Sequence, residues 1–126
     1  MNKIIIVLTV LAVCIVCAQV AKASVRKISG EDAHKMMSEM KDFVLLDVRT
    51  ESEFKEKRIQ GAILIPDFEI KTRAEKELKN KNQVIFVYCR SGRRSANAAE
   101  ELAKMGYTKV YDFGGILDWK RETVSD

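Results

Sequence analysis

The chain has 126 residues, 47% of them hydrophobic and 32% charged, with a formal net charge of +4. That length suits one small domain with its own core. The charge excess is too small to point to nucleic acid or a general anionic surface.

The first 23 residues carry the three-part layout of a secretory signal: Lys3, an apolar run from Ile4 to Val16, and the small-x-small close Ala21-Lys22-Ala23. The run is shorter than the ~20 residues that a membrane-spanning helix needs, which favours cleavage over a retained anchor. Cys14 and Cys17 each follow a valine, Val13 and Val16, where a lipoprotein signal usually carries a small residue. The expectation is a signal peptide over 1–23, one domain over 24–126, and an exported, periplasmic protein with no stable membrane association after cleavage. Loss of Lys3 and Lys22 lowers the net charge from +4 to +2. The mature chain then keeps one cysteine, Cys89, so it has no internal disulfide. That lone thiol permits a disulfide-linked dimer as an inactive, oxidised form, and the working protein is expected to be a monomer.

From Ser24 onward strands and helices alternate. Ser24 to Ile28 reads as a short strand. Ser29 is placed to cap a helix running to about Met40, with Asp32 three residues on and Ala33, Met36, Met37 and Met40 on its buried side. Phe43 to Leu46 is a continuous apolar run, hence a central strand. Asp47-Val48-Arg49 ends it, and Thr50 can cap a short helix with Glu53 at its third position. After Gly61, Ala62 to Ile65 reads as another buried strand, and Pro66 stops it. Asp67 to Asn80 forms a charged amphipathic helix with an irregular start, Ile70, Ala74 and Leu78 sharing a face.

Val84 to Tyr88 is an apolar run and reads as a buried strand. It delivers Cys89-Arg90-Ser91-Gly92-Arg93-Arg94-Ser95, and a helical pattern follows from Ala96 to Met105, closed by Gly106. Lys109 to Phe113 is a last strand. Gly114-Gly115 turns the chain into a closing helical turn or two over Ile116 to Glu122, anchored by Trp119. This order predicts an α/β fold with a central, mostly parallel sheet and helices on both faces. In such sheets sites form at the carboxyl ends of the strands. Cys89 lies at one such end, and Asp47 and Arg49 lie at another.

Three arginines fall within five residues after Cys89, at a strand-to-helix turn. A helix N-terminus and nearby guanidinium groups both favour the thiolate, the nucleophilic form of cysteine. An inert buried thiol would not need that setting. Successive backbone N–H groups of the loop can form a nest for an anionic sulfur, and Gly92 allows the tight backbone that a nest requires. Arg90 and Arg93 rank ahead of Arg94 as donors to an anionic substrate. Ser91 and Ser95 supply hydroxyls, either to the site or as helix caps. Asp47, Arg49 and Glu53 read as structural, with Arg49 and Glu53 spaced to pair across the strand-to-helix junction. His34 lies far along the chain from Cys89 and reads as a surface residue. One histidine and one mature cysteine make no metal cluster, no nucleotide-binding glycine loop is present, and no cofactor is expected.

Three stretches, in order, resemble a single-domain rhodanese. Leu46-Asp47-Val48-Arg49 with Glu53-Phe54, then Arg58-Ile59-Gln60-Gly61-Ala62 and Ile65-Pro66, is similar to the family's D-V-R and H-I-x-G-A-x-x-I-P signature, with Arg58 where histidine is common. Val87 to Ser95 resembles the active-site loop. Gly106-Tyr107, Val110-Tyr111 and Gly114-Gly115 with Trp119 are similar to the C-terminal pattern. With the signal segment, the chain resembles the exported, phage-shock type. The resemblance implies the rhodanese-like fold and a sulfurtransferase. Cys89 would take the sulfane sulfur of thiosulfate as a persulfide and pass it to cyanide or a thiol, and Arg90, Ser91, Gly92, Arg93, Arg94 and Ser95 would form the substrate-binding loop. It leaves the choice between thiosulfate and 3-mercaptopyruvate open. A persulfide carrier serving a partner protein would use the same loop. A phosphatase or arsenate reductase would need a Cys-x5-Arg loop, whereas the sixth position after Cys89 is Ser95 and Arg94 falls one short.

Overall fold

A computed structural model describes residues 24–126. The expected signal segment, with Cys14 and Cys17, lies outside the described residues. β1 (Ser24–Lys27), α1 (Gly30–Glu39), β2 (Val44–Asp47), α2 (Glu51–Glu56) and β3 (Ile63–Leu64) come first. A 3-10 turn at Asp67–Glu69 leads into α3 (Ile70–Glu77), followed by β4 (Val84–Cys89), α4 (Arg93–Lys104), β5 (Lys109–Gly115) and a 3-10 turn at Ile116–Asp118.

The five strands form one sheet in the order β1-β5-β4-β2-β3, every pair parallel. β4 is central and covered on both faces, which is why its run is apolar at every position. Alternate residues supply two cores. Ile85, Val87 and Cys89 join Ile70, Ala74, Leu78, Ala99 and Leu102 on the face covered by α3 and α4. Phe86 and Tyr88 join Ala33, Leu45, Ile59, Phe113 and Ile116 on the α1 face. Each large apolar side chain so buried contributes about 1.5–3 kcal/mol.

Local signals place the helices. The Ser29 hydroxyl accepts from the Asp32 N–H at 3.0 Å and starts α1. Thr50 and Glu53 form a reciprocal capping box at the start of α2. Ile70, Ala74 and Leu78 are all buried, as their spacing requires. Tyr107 is buried and donates its hydroxyl to the Leu78 carbonyl at 2.6 Å, tying the end of α3 to the entry of β5.

Several elements differ from the sequence expectation. β3 is two residues long rather than a buried strand over Ala62 to Ile65, and Ile63 is 42% exposed. It is the outer strand beyond β2, so only one side is paired and one face is open. In α1 only Ala33 is fully buried, while Met36, Met37 and Met40 are partly covered. α4 starts at Arg93, ahead of the expected Ala96, because Gly92 turns the backbone at φ 116° directly before it. Arg93, Arg94 and Ser95 are therefore helical. The chain after Gly115 makes a single 3-10 turn, and Trp119 is already extended. His34 is half-buried against Trp119, ring centroids 5.8 Å apart, rather than on the open surface. No helix among the described residues is long and apolar enough to cross a membrane.

Candidate active site

Cys89 is the last residue of β4 and is 1% exposed. Its Sγ accepts a hydrogen bond from the Gly92 N–H at 3.0 Å and lies 3.4 Å from the Ser95 Oγ. Ser95 is fully buried, and its hydroxyl donates to the Gly92 carbonyl at 3.0 Å, with the Gly114 carbonyl at 3.4 Å. A neutral thiol donates to Ser95; an ionised sulfur would instead accept the serine proton, and the hydroxyl can rotate to supply it. The first amides of a helix have no intrahelical partner, and Gly92 offers no side chain to cap them. The positive end of α4 thus begins beside the sulfur.

β5 shapes the other wall. Val87 pairs with Asp112, but Cys89 pairs with Gly115, so β5 carries one extra residue and bulges. Gly114 takes φ +83° in that bulge, and the Asp112 carboxylate accepts from its N–H at 3.0 Å. Gly115 lies directly under the loop. A Cβ there would overlap the Arg90 carbonyl and sit 2.7 Å from the Ser91 Cα. The Leu117 N–H donates to the same Arg90 carbonyl at 3.2 Å.

The charges divide into held and free. Asp47 is fully buried and binds Arg49 side-on, Nη2 to Oδ2 at 2.6 Å, while the Arg49 Nη2 also donates to the Lys57 carbonyl at 2.6 Å. Burial opposes the Arg49 charge, but Asp47 outweighs it and the arginine pKa is raised. Burial raises the Tyr88 pKa, with the Asp47 carboxylate adding to it; the Tyr88 hydroxyl accepts the Ile59 N–H at 3.1 Å. Glu53 does not pair with Arg49 as its spacing suggests. Arg49 folds back onto Asp47, which leaves Glu53 to bind Arg94 through both carboxylate oxygens at 2.7 and 3.0 Å. That bond, aided by Thr50, lowers the Glu53 pKa to about 2 and raises that of Arg94.

Cys89, Gly92 and Ser95 are thus in mutual contact. Arg94 is turned away to α2. Arg90, Ser91 and Arg93 are exposed, and the two arginines form no ion pair among the described residues. Asp112 and the close approach of Gly115 escaped sequence reasoning. The only signal was the Gly114-Gly115 pair, which reads equally well as a simple turn. A cleft of about 640 Å³ adjoins the loop, lined by Lys27, Ser29, Ser91, Gly92, Asp112 and Gly114 among others. A larger one, about 840 Å³ between α1 and the C-terminal segment, includes none of the predicted site residues.

Residues 29–122 match the family described as Rhodanese-like domain. The chain belongs to the rhodanese-like family. It is 42% identical over 73 residues to thiosulfate sulfurtransferase PspE of Escherichia coli, an alignment covering 58% of this chain and 70% of that protein. It is 36% identical over 102 residues to the putative sulfur carrier protein YrkF of Bacillus subtilis, covering 80% of this chain and about half, 54%, of that one. The solved structure described as rhodanese with anions from E. coli is similar at a TM-score of 0.62 and 38% identity, covering 66% of this chain and 98% of that one. In this rhodanese domain the family match takes in both the Cys89 loop and the β5 bulge that supports it.

Two outcomes follow from this geometry. Gly115→Ala forces the Arg90 carbonyl out of place, and should lower sulfurtransferase activity at least about tenfold with a loss of about 1–3 kcal/mol in urea unfolding. Glu53 titrates at about 2 in the folded state against an ordinary 4.5. Its contribution is therefore complete above pH ~4.5 and disappears as pH falls towards 2. Glu53→Gln should cost about 2 kcal/mol at pH 7, allowing for partial exposure of both partners. The gap to the wild type should narrow on going to pH 3, and a constant gap would show that the ion pair contributes little.

Proposed function

We propose that this rhodanese domain is a thiosulfate sulfurtransferase that carries sulfur on Cys89. The observation that carries the reading is the sulfur itself, at the end of the central strand, with the Gly92 N–H at 3.0 Å and the start of α4 beside it. The Cys89 thiolate attacks the outer sulfur of thiosulfate. The S–S bond of the donor breaks, its electron pair leaves with sulfite, and a persulfide remains on Cys89. The loop amides and the Ser95 hydroxyl steady the sulfur atoms, and Arg90 and Arg93 bind the sulfonate oxygens. A thiophilic acceptor, cyanide in the assay or a thiol in the cell, then attacks the outer sulfur and the Cys89 thiolate returns. No general base is needed if the nucleophile is already ionised.

Support comes from the likeness to a protein named thiosulfate sulfurtransferase. The loop also argues against oxyanion hydrolysis, since Ser95 occupies the sixth position and Arg94 is held by Glu53. In this reading residues 1–23 are a removed leader, residues 24–126 are the working domain, and it acts as a periplasmic monomer. The likeness to a putative sulfur carrier favours a second reading, in which the same persulfide waits for a partner protein and turns over slowly on thiosulfate.

The test is thiocyanate formation from thiosulfate and cyanide by the reduced domain, Ser24 to Asp126. Cys89→Ser should abolish it while the folded signal in circular dichroism stays unchanged; residual activity in that variant would remove Cys89 as nucleophile. Arg90→Ala and Arg93→Ala should each raise the thiosulfate KM about three- to tenfold with a smaller change in kcat, because each deletes one exposed charge-assisted contact. Unchanged kinetics in both would take the arginines out of donor binding.

A further inference from the structure

We propose that the cleft between α1 and the C-terminal segment is a binding site for an aromatic monocarboxylate, separate from the Cys89 loop. The cleft holds about 840 Å³, and no residue of that loop lines it. Its floor is apolar and fixed. Leu45 of β2 and Ile59 are each 4% exposed, and the Ile59 N–H donates to the Tyr88 hydroxyl at 3.1 Å. Met37 of α1, Phe43 and Trp119 also line the space, all half-buried. Trp119 meets His34 edge-on, with ring centroids 5.8 Å apart and planes at 73°. A flat ring can join such a set by stacking or by edge contact. The Met37 sulfur is a further favourable neighbour for it.

The C-terminal wall of the cleft is tied down along its length. The Trp119 N–H donates to the Ile116 carbonyl at 3.1 Å, and Arg121 reaches Glu31, in the first turn of α1, at 3.1 Å. Beyond the cleft, Val124 exchanges two backbone hydrogen bonds with Arg58, each 2.8 Å, and the Asp126 N–H donates to the Lys55 carbonyl at 3.0 Å. A space of this size, apolar in its floor and bounded by tethered walls, meets the requirements of a preformed small-molecule site.

Charge at the rim selects the sign of the ligand. Lys41 and Lys120 line the cleft, both are exposed, and neither has a carboxylate partner among the described residues. Arg121 is occupied by Glu31. Glu122 is the one carboxylate in the lining among the described residues, and Asp42, beside Lys41 in the chain, is exposed and outside it. Two free cations against one carboxylate leave a single positive excess, which suits one carboxylate on the ligand rather than two. His34 and Gln60 also line the cleft, and their side chains have no hydrogen-bond partner among the described residues. Each carries an N–H that can donate to that carboxylate. The sulfur-transfer step uses none of these groups.

Trp119 is the single tryptophan of the chain, so its indole N–H gives one NMR signal that reports on the cleft directly. The experiment titrates the domain Ser24 to Asp126, which contains every described strand and both cores, with cinnamate as the probe. The indole signal should shift saturably with a Kd below about 2 mM, the range open to so small a ligand. Cinnamamide, which lacks the charge, and nonanoate, which has the same carbon count but no ring, should each bind at least about threefold more weakly. Lys41→Ala and Lys120→Ala should each weaken cinnamate about two- to fivefold and leave cinnamamide unchanged. Both lysines are exposed, so neither change threatens the fold. The absence of a saturable shift at about 10 mM cinnamate would overturn the site. Cinnamamide or nonanoate binding as tightly as cinnamate, or full affinity in both lysine variants, would overturn the aromatic carboxylate as its ligand.

Discussion

The hydrogen bond from the Gly92 N–H to the Cys89 Sγ sets the shape of the sheet's carboxyl edge. It closes the chain onto the sulfur within three residues, which requires the positive φ at Gly92 and lets α4 start at once. The turn is too tight to stand alone, and its neighbours hold it from below. β5 bulges by one residue so that Gly115, with no Cβ, passes under the Arg90 carbonyl. Asp112 satisfies the Gly114 amide that the bulge exposes, so a buried polar group is matched rather than orphaned.

A second layer joins the β2 edge to the same turn. The buried Asp47–Arg49 pair folds the chain after β2 and ties it to the end of α2 through the Lys57 carbonyl. A buried pair of this kind is weak support for stability in itself, because desolvation offsets much of the attraction. Its consequence here is positional. It leaves Glu53 free to act twice, as the third residue of the Thr50 capping box and as the clamp on Arg94. The first turn of α4 is thereby held to α2, and Arg90 and Arg93 are the cations left facing solvent. One arginine thus steadies the loop, while two remain available to anions.

Much of this was legible from residues alone. The apolar run ending at Cys89 placed the cysteine at the end of the central strand, and the Ser29 and Thr50 caps placed two helix starts, because these signals are local and need no knowledge of neighbours. The spacing of Ile70, Ala74 and Leu78 gave the buried face of α3. Misreadings came where a distant strand decided the matter. Ile63 looks like a core residue until β3 proves to be the outer strand. Glu53 is correctly spaced for Arg49, but the stronger bidentate partner comes from 41 residues away.

The sequence by itself determined the alternation of strands and helices, the cysteine at a strand-to-helix turn and the cationic loop after it, since each depends on period, capping and nearest neighbours along the chain. The tertiary structure alone decided which arginines are spent on ion pairs and which are free. It also decided why Gly115 must lack a side chain. Those outcomes depend on strand order and register, which bring residues far apart in the chain to within hydrogen-bond distance.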